Sequence, residues 1–211
     1  ETGIMVYNIL YGLTFWFFHT IMRLFCKQVH ISGVDRLQNI KGPLIIASNH
    51  RGKYDGIWIW YYLALMNRSK IMSMYFVTGA RFFQQPIVGW YLRQMKCFPV
   101  DRGMGVQVLD PMVKALKNNE IVGIFPEGKM QKTVHEKGDA KRGVGYLITE
   151  SQASVLPIYI NYYRKGKKLP FYDMTFRVGE ITSYTNSQSG DKDPLQVLAD
   201  DVLDSVYELN A

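Results

Sequence analysis

Asn49-His50-Arg51-Gly52-Lys53-Tyr54-Asp55 sets an imidazole and a carboxylate five positions apart, directly after the apolar run Leu44–Ser48. Five residues turn a helix about 140° out of register, so the two side chains cannot share a helix face. The segment has to curl, and Gly52 supplies the freedom for it. Once curled, Asp55 can hold one ring nitrogen of His50 and fix its tautomer, leaving the other nitrogen to take a proton from a hydroxyl. That is general-base chemistry. A plainer reading stands beside it: Asp55 caps the helix that starts at Gly56, and His50 is an incidental loop histidine. The two roles of Asp55 are compatible.

Two more side chains have the right chemistry nearby. Arg102 follows the strand-like Cys97–Val100 and offers a planar fork for a phosphate or carboxylate, or else a surface ion pair with Asp101. Glu127 follows the apolar run Ile121–Phe125 and Pro126, so it projects at the sheet edge where the His50 loop emerges. There it can hold an acceptor hydroxyl or a basic residue, or serve only as a turn acid. Backbone N–H groups around Gly128 suit an anion nest. No HExxH, Walker A loop or GxSxG elbow is present, and neither Gly103-x-Gly105 nor Gly143-x-Gly145 has the third glycine of a dinucleotide fingerprint. With no cluster of metal ligands, group transfer without a cofactor is the natural expectation.

Positioning these groups calls for alternating strands and helices, and the chain reads as α/β. Strands are expected at Val29–Val34, Leu44–Ser48, Ile71–Val77, Ile121–Phe125, Val155–Ile160 and Met174–Ile181. Gly56 to Leu65 reads as an apolar helix. Met104 to Asn119 carries Leu109, Met112, Val113 and Leu116 at helical spacing. The tail from Pro194 is an amphipathic helix with Leu195, Leu198, Val202, Val206 and Leu209 on one side. No repeat or low-complexity linker divides the chain. Residues 28–211 are expected to form one domain, with 1–27 as an appended segment.

That appended segment has its own character. Ile4 to Met22 is free of Asp, Glu, Lys and Arg and carries Tyr7, Tyr11, Phe15, Trp16, Phe17 and Phe18. Aromatic rings of this kind favour a bilayer interface. At about 1.5 Å per residue the run could roughly cross a hydrocarbon core, but Asn8, Gly12, Thr14 and His19 dilute it. The expectation is a helix lying in the interface, with a long core helix as the alternative. Arg23 and Lys27 follow the run, which places the rest of the chain on the cytoplasmic face. No basic start and A-x-A-like end mark a cleaved signal peptide.

Across its 211 residues the chain carries 25 basic and 18 acidic residues, a net charge of +7, which suits anionic partners such as lipid headgroups. A hydrophobic fraction of 47% excludes wholesale disorder. Two distant cysteines, Cys26 and Cys97, with no CxxC, argue for a reducing compartment and against a disulfide framework or zinc site. No nucleic-acid-binding motif accompanies the charge. The basic run Arg164-Lys165-Gly166-Lys167-Lys168 is either a solvated loop or a contact for lipid or CoA phosphates or an acidic carrier protein. The apolar Ile57-Trp58-Ile59-Trp60-Tyr61-Tyr62 reads first as core, second as the lining of an acyl-chain tunnel.

Asn49-His50-x-x-x-x-Asp55 resembles the first block of the glycerophospholipid acyltransferase family, which includes 1-acylglycerol-3-phosphate acyltransferases. Phe98-Pro99-Val100-Asp101-Arg102, Phe125-Pro126-Glu127-Gly128 and Val155-Leu156-Pro157-Ile158 are similar to its second, third and fourth blocks, in family order. Gln85-Pro86-Ile87-Val88-Gly89-Trp90 and Lys141-Arg142-Gly143 resemble two of its intervening elements. The resemblance covers roughly residues 30 to 160. It implies a glycerol-3-phosphate acyltransferase-like mixed sheet flanked by helices, and direct transfer from acyl-CoA or acyl-carrier protein to a lysophospholipid hydroxyl, with 1-acylglycerol-3-phosphate the foremost acceptor. His50 is implied as the base, Asp55 as its orienting partner, and Asn49, Arg102, Glu127 and Gly128 as substrate-binding. Two departures stand out. Gly79 and Ala80 occupy the places of the usual lysine pair, with Arg81 one place later. Glu127-Gly128-Lys129-Met130 replaces Glu-Gly-Thr-Arg and looks more like tafazzin-type transacylases and some lysophospholipid acyltransferases. Lys129 or Arg81 is expected to compensate, or the acceptor bears another headgroup. A lipid-binding member without catalysis is the remaining alternative.

Overall fold

The computed structural model describes residues 2–38, 40–66, 74–101, 105–131, 136–165, 171–185 and 193–210. Helix α1 (Thr2–Phe25) runs straight into strand β1 (Cys26–Ser32). There follow β2 (Leu44–Ser48), α2 (Asp55–Met66), β3 (Met74–Gly79), α3 (Pro86–Gln94), β4 (Cys97–Val100), α4 (Asp110–Lys117), β5 (Ile121–Ile124), α5 (Gly143–Ser151), β6 (Ser154–Lys165), β7 (Phe171–Val178) and α6 (Pro194–Glu208). The strands build one mixed sheet in the order β1-β7-β6-β2-β5-β3-β4. Every neighbouring pair is parallel except β6 with β7.

Strand β2 lies between β5 and β6 and is buried on both faces, which explains its unbroken apolar run. Strand pleating sends alternate side chains into two layers. Leu44 and Ile46 join Ile158, Ile160, Phe176 and the aromatics of α2 in one core. Ile45 and Ala47 join Val122, Val155, Tyr159 and the apolar faces of α4, α5 and α6 in the other. The structure thus bears out the mixed sheet flanked by helices. It also settles Trp58, Ile59, Trp60, Tyr61 and Tyr62 as core, each less than a tenth exposed.

Several boundaries differ from expectation. The first strand starts at Cys26, so it already includes Lys27. Pro111 stands in the first turn of α4, where its missing N–H costs nothing; the helix therefore begins at Asp110, and Val106–Leu109 is a 3-10 turn. Helices α3 and α5 went unassigned from the sequence because each is nine residues long, barely two turns of periodicity. Strand β6 runs to Lys165, well past its last partner on β2, because β7 continues to pair with it.

Helix α1 is neither wholly buried nor free. Phe15, Phe18 and Ile21 pack against the first core, where Phe15 stacks on Tyr61 at 5.3 Å and Phe18 meets Trp58 edge-on at 6.0 Å. Its two polar anchors are His19 Nδ1, 2.7 Å from Tyr61 Oη, and Thr14 Oγ1, 2.9 Å from Tyr91 Oη on α3. The opposite stripe leaves Ile9, Leu13, Trp16, Phe17 and Leu24 exposed. Among the described residues no helix is long and apolar enough to cross a membrane.

Candidate active site

Parallel pairing brings the C-terminal ends of β2 and β5 to one edge of the sheet, with Ala47 opposite Ile124. The His50 loop leaves the first strand and the Phe125–Met130 loop leaves the second. Beside them β6 overhangs the end of β2, since Ser48 pairs with Ile158 while β6 continues for seven residues more. The site is built in the angle between these three segments.

The dyad geometry is present. His50 Nδ1 lies 2.9 Å from Asp55 Oδ2, and the side chain of His50 keeps 21% of its exposure while that of Asp55 keeps none. The imidazole stacks on Phe125, with centroids 4.2 Å apart and planes 12° from parallel. Among the described residues no group hydrogen-bonds Nε2, which is the nitrogen left for chemistry.

Asp55 does more than orient the ring. Its Oδ2 also accepts the backbone N–H groups of Arg51 at 2.7 Å and Gly52 at 2.8 Å, so the carboxylate winds the loop around itself. The capping alternative takes a different form: in the first turn of α2 the N–H groups of Ile57 and Trp58 go to Tyr54 O, and the Asp55 carboxylate serves the residues before it. An acid in the first helical turn still suits the helix dipole. Gly52 is needed for space rather than for a left-handed backbone. A Cβ there would stand 3.2 Å from Asp55 Oδ1 and 3.3 Å from Tyr162 Cε2.

Asn49 and Glu127 are both wholly buried, and protein groups occupy their polar atoms. Asn49 donates from Nδ2 to Ile160 O and accepts from Ile160 N at Oδ1, both at 2.8 Å, so its amide extends the β2–β6 ladder by one side chain. Glu127 Oε2 accepts the backbone N–H of His50 at 2.9 Å. Its Oε1 accepts from Tyr207 Oη at 2.6 Å and from Gly138 N at 3.2 Å. The His50 carbonyl in turn accepts from Gln131 N at 2.8 Å. Glu127 therefore braces the loop that carries His50. The sequence expectation of an acceptor-facing carboxylate is met by a different arrangement, because burial at the sheet edge leaves no open lone pair toward solvent.

Gly128 has a left-handed backbone, φ 63°, and is exposed, but its N–H closes a turn onto Phe125 O at 2.9 Å and so is not open to an anion. Lys129 is exposed beside it. Lys141 runs along the same turn: its N–H donates to Pro126 O at 2.8 Å, and its Cγ would lie 3.3 Å from a Cβ on Gly128. Arg81 is exposed with its guanidinium 4.8 Å over the Phe82 ring. Arg102 and residues 166–168 of the basic run lie outside the described residues. Among the described residues no group of three or more His, Cys, Asp or Glu could hold a metal ion.

Two tyrosines at the site were not read from the sequence. Tyr162, on the overhanging part of β6, donates to Asp55 Oδ1 at 2.6 Å. Tyr207, on α6, donates to Glu127 Oε1. The strand alternation Leu156, Ile158, Ile160, Tyr162 places Tyr162 on the α2 face, which is a legible signal; no local pattern joins Tyr207 to residue 127. Burial and the neighbouring carboxylates push both phenols above their ordinary range, so both remain donors.

The acyltransferase family model matches residues 28–161. The chain belongs to the acyltransferase family. It is 29% identical over 130 residues to 1-acyl-sn-glycerol-3-phosphate acyltransferase of Bacillus subtilis, covering 59% of each chain. It is 27% identical over 145 residues to N-acylphosphatidylethanolamine synthase of Arabidopsis thaliana, covering 63% of this chain and 51% of that protein. A third relative is the Dictyostelium discoideum taffazin, 26% identical over 187 residues, covering 76% of this chain and 64% of that one. The chain thus spans roughly half to two thirds of the length of these relatives. The crystal structure of the 1-acyl-sn-glycerophosphate acyltransferase from Thermotoga maritima shares the fold, with a TM-score of 0.56, 20% identity, and 87% of this chain and 73% of that one covered. The acyltransferase match takes in the His50 loop, β5, the Glu127 turn and β6 as far as Asn161, one residue short of Tyr162.

Proposed function

We propose that this chain moves a fatty acyl group from the thioester of acyl-CoA or acyl-carrier protein to the hydroxyl of a lysophospholipid, with 1-acylglycerol-3-phosphate the foremost acceptor and phosphatidic acid the product. The observation that supports this most directly is the His50–Asp55 pair with Nε2 unoccupied, in a member of the acyltransferase family. In this reading Nε2 takes the hydroxyl proton as the acceptor oxygen attacks the thioester carbonyl carbon. The tetrahedral intermediate then expels the thiolate, breaking the C–S bond, and the imidazolium returns its proton to the sulfur. No covalent acyl-enzyme is required. Asn49 and Glu127 act by holding the His50 loop, while the exposed Lys129 offers its charge to the anionic headgroup, a role that the family resemblance also gives Arg102.

The bilayer is the second partner in this proposal. The exposed stripe Ile9, Leu13, Trp16 and Phe17 of α1 would lie in the interface on the cytoplasmic face, with the site opening toward the lipid. Replacing Leu13, Trp16 and Phe17 with Ser should lower flotation with anionic vesicles while the domain stays folded.

The deciding experiment is thioester-dependent turnover by wild type and by His50→Ala, with lysophospholipid acceptors of several headgroups. A loss of about 10²–10⁴-fold is expected for the variant. Near-normal turnover in folded His50→Ala would sink the mechanism, and inactivity of wild type on every pair would favour a lipid-binding role. A phospholipid-donor transacylase is the second reading, favoured by the taffazin similarity and by Lys129 after Gly128. Turnover without any added thioester would select it.

A further inference from the structure

We propose that Tyr162 is a positioning residue for the base, acting through Asp55. The argument starts from the carboxylate. Asp55 is wholly buried, and an isolated buried carboxylate is costly unless every lone pair direction is served. Three donors converge on Oδ2: His50 Nδ1, Arg51 N and Gly52 N. All three come from one loop and lie on one side. Oδ1 faces the opposite way, and its hydrogen bond, at 2.6 Å, comes from Tyr162 Oη. Tyr162 thus sets the carboxylate's rotation, and with it the direction in which Oδ2 meets the imidazole.

The placement is enforced by the fold. Tyr162 sits on the stretch of β6 that extends past β2 and is held by β7, where it pairs with Met174. Asn49 clamps the same strand two residues earlier, at Ile160. Gly52 passes over the ring edge and Asp55 Oδ1 so closely that a Cβ would crowd both, at 3.3 and 3.2 Å, so loop, carboxylate and phenol form one packed unit. A charge-assisted bond of this length also draws electron density from the carboxylate and tempers the pull of Asp55 on an imidazolium. The other titratable groups around this pair are Tyr62 on α2 and Cys26 on β1, with Asp173 of β7 beside Cys26; burial raises both Tyr62 and Cys26, which leaves them neutral. The neutral donors that the carboxylate meets are Tyr162 and the loop N–H groups.

The inference deepens the proposed acyl transfer and rests on it only for the kinetic readout. Two measurements on Tyr162→Phe, which removes one oxygen, keep the two apart. The first is a ¹⁵N NMR titration of His50 in the full chain, which needs no turnover. Loss of the phenol should leave Asp55 a stronger attractor, so His50 should titrate at a higher pH than in wild type; incorporation of 3-fluorotyrosine at 162, a stronger donor, should move it the other way. The second is turnover: kcat should fall about 10- to 100-fold with the thioester KM unchanged, and the acidic limb of the pH profile should follow the NMR shift. An unshifted His50 titration in both variants would overturn the proposal, as would an unshifted limb with only a lowered melting temperature. Shifted NMR titrations with no turnover in wild type would uphold the positioning role and refute the acyl-transfer reading instead. Should Tyr162→Phe not fold, the fluorotyrosine protein alone decides.

Discussion

The two carboxylates of the site are both fully buried, both receive a tyrosine hydroxyl at 2.6 Å, and yet face different tasks. Asp55 sits on the α1–α2 side of the sheet and touches the imidazole itself. Glu127 sits on the α4–α6 side and touches only the backbone N–H of His50. Arg51, between them, turns to the second side, with its guanidinium 5.8 Å from the Tyr207 ring and Nη1 3.4 Å from Glu136 O. Thus the same chemical pair, acid plus phenol, meets the imidazole in one layer and anchors a loop in the other. What separates the roles is which part of His50 the carboxylate meets, its ring or its main chain. In the proposed acyl transfer a ring nitrogen changes its protonation during turnover and an amide N–H does not, so in that reading only Asp55 is coupled to the proton.

The largest effect that this contrast predicts is on Asp55→Asn. An amide in place of the carboxylate cannot stabilise the imidazolium, and its NH2 would oppose the loop N–H groups or the phenol. Turnover should drop about 10²–10⁴-fold, and stopped-time product assays would register it. Comparable activity would show that the ring needs no charged partner. Glu127→Gln comes next, with a different signature. The side chain keeps an oxygen for one donor but forces an NH2 against Tyr207 or Gly138, costing about 1–3 kcal/mol of stability by thermal or denaturant unfolding. Turnover should fall with it, but the pH dependence of kcat/KM should hold; a displaced acidic limb would mean that Glu127 is coupled to the proton after all.

Gly52→Ala sharpens the first half of the comparison. The added methyl must push Asp55 Oδ1 and the Tyr162 ring by a few tenths of an ångström, so activity should decline several-fold with little change in melting temperature. A stability loss with intact turnover would place the strain elsewhere. Tyr207→Phe should be the mildest. Glu127 Oε1 retains Gly138 N, so about 0.5–1.5 kcal/mol of stability is expected to go and kcat to stay within a few-fold of wild type. An effect on the pH profile as large as that expected for Tyr162→Phe would erase the distinction between the two layers.

Much of this was legible in the residues. Leu44–Ser48 could be bounded to the residue because a central strand buried on both faces is apolar without interruption. The His50–Asp55 pairing was one of two readings of the loop, singled out by the family resemblance, and α6 followed from its apolar stripe, of which Leu198, Val202 and Val206 are buried. Short helices such as α3 and the extent of β6 were not legible. Two turns carry too little periodicity, and a strand's length past its neighbour depends on which distant strand pairs with it.

The roles within the site divide along the same line. Residue order alone determined that His50 and Asp55 stand five positions apart with Gly52 between them, and that an aromatic, uncharged segment comes first. Those are local matters of spacing, steric size and polarity, and they hold before any fold forms. Only the tertiary structure decided that Asn49 locks onto Ile160, that Glu127 grips the His50 backbone, that α1 buries one face and exposes the other, and that a phenol stands behind each acid. Asn49 meets Ile160 across 111 residues, and Asp55 meets Tyr162 across 107. A hydrogen bond is made by direction and distance in space, and at such separations neither is written in the chain until the sheet has set its strand order.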